Sequence, residues 1–67
     1  MRTRLWLSNS GSGTAVQYRE DIDVRVWVHT NIGWVPASNM ETESEAEKLA
    51  SSWKLVEADE EVAREYL

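Results

Sequence analysis

The side chains that could do acid–base or nucleophilic chemistry in this chain are one imidazole, His29, and twelve carboxylates. Nucleophilic catalysis needs a base held against a hydroxyl or thiol. There is no cysteine, so a thiolate nucleophile, a CxxC redox pair, a thiolate zinc site and a disulfide are all excluded. His29 falls in an alternating apolar segment and reads as a surface or hairpin-flanking residue rather than a general base. Asp21 and Asp23, two apart, can share one side of a strand, but the glycine and terminal glutamate of a calcium loop are missing, so they read as solvated turn acids. Gly11-Ser12-Gly13 lacks the third glycine and the following helix of a phosphate cradle, and reads as a hairpin loop. Paired carboxylates for glycoside hydrolysis need a cleft that raises one pKa, and a chain this short has little volume to build a deep one. No catalytic, cofactor-binding or metal-ligating residue is therefore assigned, and no enzyme activity is expected.

The chain has 67 residues, 42% of them apolar, which fits one small domain over 1–67. A domain of this size buries only about 60% of the surface of its unfolded chain. Four Trp and two Tyr must supply much of the buried area, or a second chain must. No long uncharged run suggests a membrane span, and the segment Met1–Ser8 has no apolar core of signal-peptide length. None of Asn9, Asn31 and Asn39 heads a glycosylation triplet. Together these read as a cytoplasmic protein.

Charge divides the chain. Residues 1–40 hold four Arg against three acids, whereas residues 41–67 hold three basic groups against nine acids, so the net charge of −5 lies wholly in the second part. The first part reads as sheet. Leu5 and Leu7 alternate with Arg4 and Trp6, and Ser8–Gly13 is a loop. From Val16 to Val28 the even positions keep one apolar register, as two strands broken near Glu20-Asp21 or as one long bent strand. Ile22–His29 is the strongest strand, Thr30–Gly33 a hairpin loop, and Pro36 ends the last strand or places it at an edge.

Beyond Pro36 the period becomes helical. Thr42 and Glu45 fit a capping box, as Ser44 and Glu47 do one turn deeper, and Ala46, Leu49, Ala50 and Trp53 form an apolar stripe. The rest of 42–67 is one helix of about seven turns or, as favoured here, two, with Asp59 capping a second over Glu60–Tyr66. The expected fold is α+β: an antiparallel sheet of three or four strands from residues 2–36, with one or two helices from residues 42–67 packed on one face.

In this arrangement Leu5, Leu7, Val24, Val26 and Val28 face the helix, leaving Arg4, Trp6, Arg25, Trp27 and His29 on the opposite side. Two surfaces then stand out. The acids Glu43, Glu47, Glu57, Glu61 and Glu65, three of them at i, i+4 spacing, could dock on a basic protein surface with Trp27 or Trp34 as aromatic anchor. Such a chain would inhibit a nucleic-acid-binding protein by charge mimicry, a profile shared by many virus-encoded inhibitors of bacterial defence enzymes. Alternatively, Arg4, Trp6, Arg25 and Trp27 could stack single-stranded nucleic acid, although the net negative charge opposes it. A third reading makes the Trp-bearing face a homodimer interface. If instead Trp6 and Trp27 are covered by Val62, Tyr66 and Leu67, that face is a second small core.

Overall fold

The computed structural model of the chain describes residues 3–9, 13–59, 61 and 62. The fold is α+β. Five antiparallel strands, β1 (Thr3–Leu7), β2 (Ala15–Arg19), β3 (Val26–Thr30), β4 (Gly33–Pro36) and β5 (Val56–Glu57), lie in the order β4-β3-β2-β1-β5, and one helix, α1 (Glu43–Ser52), precedes β5. The fifth strand is an addition to the three or four expected. It is two residues long and pairs Trp6 with Glu57 and Leu7 with Val56, a match too short for hydrophobic periodicity to reveal.

The long apolar register resolves into β2 and β3 as separate strands. Residues 20–25 form the turn between them, closed by the Arg19 N–H donating to the Arg25 carbonyl at 2.7 Å. The third strand thus starts at Val26 rather than Ile22. Arg19 forks onto Asp21 with Nε–Oδ1 of 3.2 Å and Nη2–Oδ2 of 2.9 Å. Asp21 is therefore paired, and that guanidinium holds its carboxyl below the usual range.

The β3–β4 hairpin turns at Asn31-Ile32. Both have negative φ, and Gly33 at φ 101° takes the left-handed bulge position that a β-carbon would strain. Pro36 sits on the sheet edge, where its missing N–H breaks no interior ladder bond.

Register overturns the expected division of faces. Trp6 stands opposite Val16, which stands opposite Val28, while Arg4 stands opposite Tyr18 and Tyr18 opposite Val26. Residues directly opposite share a face. Arg4 and Trp6 therefore lie with the β3 valines, and Leu5 and Leu7 lie on the other side with Trp27 and His29. The first core cluster is Trp6, Val16, Tyr18 and Val26 under Ala46 and Ala50 of α1, with Leu49 and Leu55 beside them. The second, on the reverse face, is Leu5 and Ala15 against Leu7, Trp34, Ala58 and Val62. The chain beyond β5 thus returns across the face opposite α1, so the helical region does not stay on one face.

Sequence and backbone close α1 differently at its two ends. At the start the Thr42 hydroxyl accepts the Glu45 N–H at 3.2 Å, and the Glu45 carboxylate accepts the Thr42 N–H at 3.3 Å, the expected reciprocal box. At the end Lys54 adopts φ 58°, its N–H reaches the Ser51 carbonyl at 3.0 Å, and the Leu55 N–H reaches Ala50 at 2.9 Å. This pair of bonds is a Schellman closure with lysine at the position glycine usually fills. It stops the helix at Ser52 and excludes a single seven-turn helix. Glu61 and Val62 are helical; the remainder of the proposed second helix lies outside the described residues.

Candidate functional site

The acids proposed as a docking row are not arranged as one. Glu57 belongs to β5 and lies beside Arg4 of β1, and Glu43 and Glu47, one helical turn apart, approach the same guanidinium from α1. Arg4 Nε donates to Glu57 Oε2 at 2.9 Å, Nη2 donates to Glu57 Oε1, and Nη1 donates to Glu47 Oε2 at 2.8 Å and lies 3.6 Å from Glu43 Oε1. The Arg4 side chain is 16% exposed, and its carbon Cζ stands 4.6 Å from the Trp6 ring centroid. Glu57 above all, and Glu47 after it, hold the Arg4 pKa above its usual value against the opposing effect of burial. These contacts join α1, β1 and β5 through one guanidinium. Glu61 is exposed beyond β5, and Glu65 lies outside the described residues.

The two aromatic anchors are already engaged. Trp27 is half-buried and its indole N–H donates to the Val24 carbonyl at 2.8 Å. Trp34 packs against the Leu5–Ala15 cluster, with His29 edge-on at 5.0 Å between ring centroids. His29 Nδ1 lies 2.8 Å from the Gly13 carbonyl, which can only accept, so the neutral ring carries its proton on Nδ1.

The proposed stacking platform is not assembled either. Trp6 is 4% exposed beneath α1, Arg4 is held by the carboxylates, and Trp27 is on the reverse face; only Arg25 stands exposed. Ala46 and Ala50 of α1 pack against Trp6. Val62 covers Leu5 and Ala15 instead, and Tyr66 and Leu67 lie outside the described residues.

The surface that sequence reasoning missed lies at the C-terminal end of α1. Trp53, assigned to the buried stripe, is instead the C-cap residue, and it is 44% exposed. The left-handed turn at Lys54 ends the helix before the indole can continue the inward stripe of Ala46 and Ala50. Beside it a cleft of about 660 Å³ opens toward the sheet. Trp53 and Leu55 form one wall, and the β3 end at Val28, His29, Thr30 and Asn31, with Ser8 and Thr14, forms the other. No Asp, Glu, Lys or Arg lines it among the described residues, in a protein with 28% charged residues. A lysine in the left-handed region gives no sequence signal of a helix stop.

Among the described residues no group of three or more His, Cys, Asp or Glu is placed to hold a metal ion, and no helix is long and apolar enough to cross a membrane. Comparison with protein-family models, with curated proteins and with solved structures yields no match. Function must therefore be argued from the geometry.

Proposed function

We propose that this chain is a small non-enzymatic protein-binding module that docks on a basic surface of a partner, and so inhibits a nucleic-acid-binding protein by occupying that surface. The single observation that carries the reading is the exposed Trp53 beside a cleft that no Asp, Glu, Lys or Arg lines among the described residues. Tryptophan beside a pocket that can be fully desolvated is the commonest anchor of protein interfaces. The net charge of −5 supplies the steering: it favours encounter with positive partners and opposes free nucleic acid. Relative to the sequence expectation, the anchor moves from Trp27 or Trp34 to Trp53. The steering moves from a continuous row to the exposed acids, Glu41 and Glu61 among them.

The test is capture of a partner by the immobilised full chain, followed by association kinetics with the double variant Glu41→Lys/Glu61→Lys, which leaves the Arg4 cluster intact. The expected result is a basic partner whose association slows roughly tenfold at low salt and recovers its parent rate at high salt. An unchanged low-salt rate would remove the electrostatic reading. Quenching of tryptophan fluorescence by a single-stranded oligonucleotide at low salt would favour nucleic-acid binding instead.

A further inference from the structure

The sheet ends in two unlike edges. β5 is two residues long and its Glu57 is held by Arg4, with Nε–Oε2 of 2.9 Å, the short and charged form in which sheet edges resist further pairing. β4 is longer, and from Val26 to Met40 the chain that builds β3, β4 and the segment after them holds no Asp, Glu, Lys or Arg. Among the described residues no strand pairs with β4 on its outer side. We infer that this edge takes an extended apolar strand of a partner protein into the sheet. The inference rests on the protein-binding reading only in taking the partner to be a protein: no β4 residue lines the Trp53 cleft, so the two surfaces are separate.

Register fixes which main-chain groups face outward. β3 and β4 pair Val28 with Val35 and Thr30 with Gly33, and just past the strand the Ala37 N–H donates to the Val26 carbonyl at 2.9 Å. Hydrogen-bonded and non-bonded pairs alternate along an antiparallel ladder. Gly33, Val35 and Ala37 therefore direct their groups at β3, while Trp34 and Pro36 turn theirs outward. Pro36 is tolerated there because its missing N–H faces no strand. The open edge presents one donor, the Trp34 N–H, and two acceptors, the carbonyls of Trp34 and Pro36.

That set selects the occupant. A foreign strand in antiparallel register exchanges both bonds with Trp34 and gives a third N–H to Pro36. A second copy of this chain does less well. Whether the two-fold axis falls at Trp34 or at Val35, such a pair closes only two bonds, since the donor missing at Pro36 is missing from both copies and the Ile32 N–H is already given to Thr30 Oγ1 at 3.2 Å. The net charge of −5 on each copy also repels the other. The side chains call for an apolar strand. Trp34 and Val35 are half-buried on opposite faces, and Ile32 at the hairpin tip is 82% exposed, so a strand passing the tip covers apolar surface along the whole edge.

The test is selection of a randomised linear peptide library displayed on phage against the full folded chain, with each enriched peptide then synthesised and its effect on amide hydrogen exchange of the chain measured. In the free chain the Trp34 amide should exchange faster than that of Val35, and bound peptide should slow Trp34 by at least about tenfold while Val35 is unchanged. N-methylation of the peptide should weaken binding about tenfold at two residues separated by one, and little at the residue between them. Pro36→Ala, which adds the missing donor, should tighten binding by roughly threefold or more, and Trp53→Ala should leave it unchanged. A Trp34 amide already protected in the free chain, methylation effects without that alternation, or no enriched peptide would each overturn the inference. Peptides lost with Trp53→Ala would overturn it in favour of the cleft. Capture of a basic partner that leaves the Trp34 amide unprotected would overturn the added strand while the protein-binding reading stands.

Discussion

At its first turn α1 is charged and closed: the Thr42–Glu45 box satisfies its leading N–H groups, and Glu43 and Glu47 are drawn onto Arg4. At its last turn it carries no basic residue and is open, with a main-chain closure at Lys54 and an indole left outward beside a cleft that no Asp, Glu, Lys or Arg lines among the described residues. The first end ties the helix to the sheet through paired charges, and the second leaves unfilled a space of the size that ligands occupy. In a chain this small the same ten-residue helix both completes the core and borders the proposed recognition surface. The two roles separate along its length because its charges are engaged at one end and its aromatic is exposed at the other.

Substitutions should distinguish the two ends. The largest effect is expected from Arg4→Ala, which leaves Glu43, Glu47 and Glu57 facing one another without their shared cation and removes the contact over Trp6; a loss of about 2–3 kcal/mol is expected in urea unfolding. A loss below about 0.5 kcal/mol would show that the cluster does not join α1 to β1 and β5. Thr42→Ala should cost about 1 kcal/mol through the cap. At the opposite end Lys54→Gly should raise stability by about 1 kcal/mol, since glycine enters the left-handed region without the steric cost a β-carbon imposes. Destabilisation by that change would contradict the Schellman closure. Trp53→Ala should cost about 1 kcal/mol of stability, since more than half of the indole is covered, while weakening binding.

A pH titration sharpens the first end alone. The Glu41 N–H, then the Thr42 hydroxyl, hold the Glu45 carboxyl below its ordinary value. A depressed carboxyl stabilises the fold above its unfolded pKa, about 4.3, and loses that contribution as pH falls through the lower folded value. The acid limb of the stability profile should therefore flatten in Glu45→Ala, and an unchanged limb would exclude the box as its source.

How far the fold was legible follows the same division. The capping box, the Thr30–Gly33 hairpin and the edge position of Pro36 depend on local residue types, and each is where the sequence placed it. The face of β1 was not legible. Both of its sides are partly apolar, Leu5 and Leu7 on one and Trp6 on the other, and both are covered, so alternation within the strand cannot say which side meets the helix. Only pairing with Val16 through the intervening loop decides it. Trp53 was misplaced because the helical period continues past Ser52 in the sequence while the backbone does not. The acidic row failed for a related reason: Glu57, Glu61 and Glu65 share a spacing, but Glu57 is in a strand.

The central claim is that the sheet takes Trp6 inside while the end of α1 leaves Trp53 outside. Acrylamide quenching of tryptophan fluorescence in Trp6→Phe and Trp53→Phe, each compared with the parent chain, tests it directly. Removing Trp53 should abolish the largest share of the quenchable emission, and removing Trp6 should leave it almost unchanged. If the quenchable emission disappears with Trp6 and persists without Trp53, the assignment of faces and the recognition surface drawn from it are both contradicted.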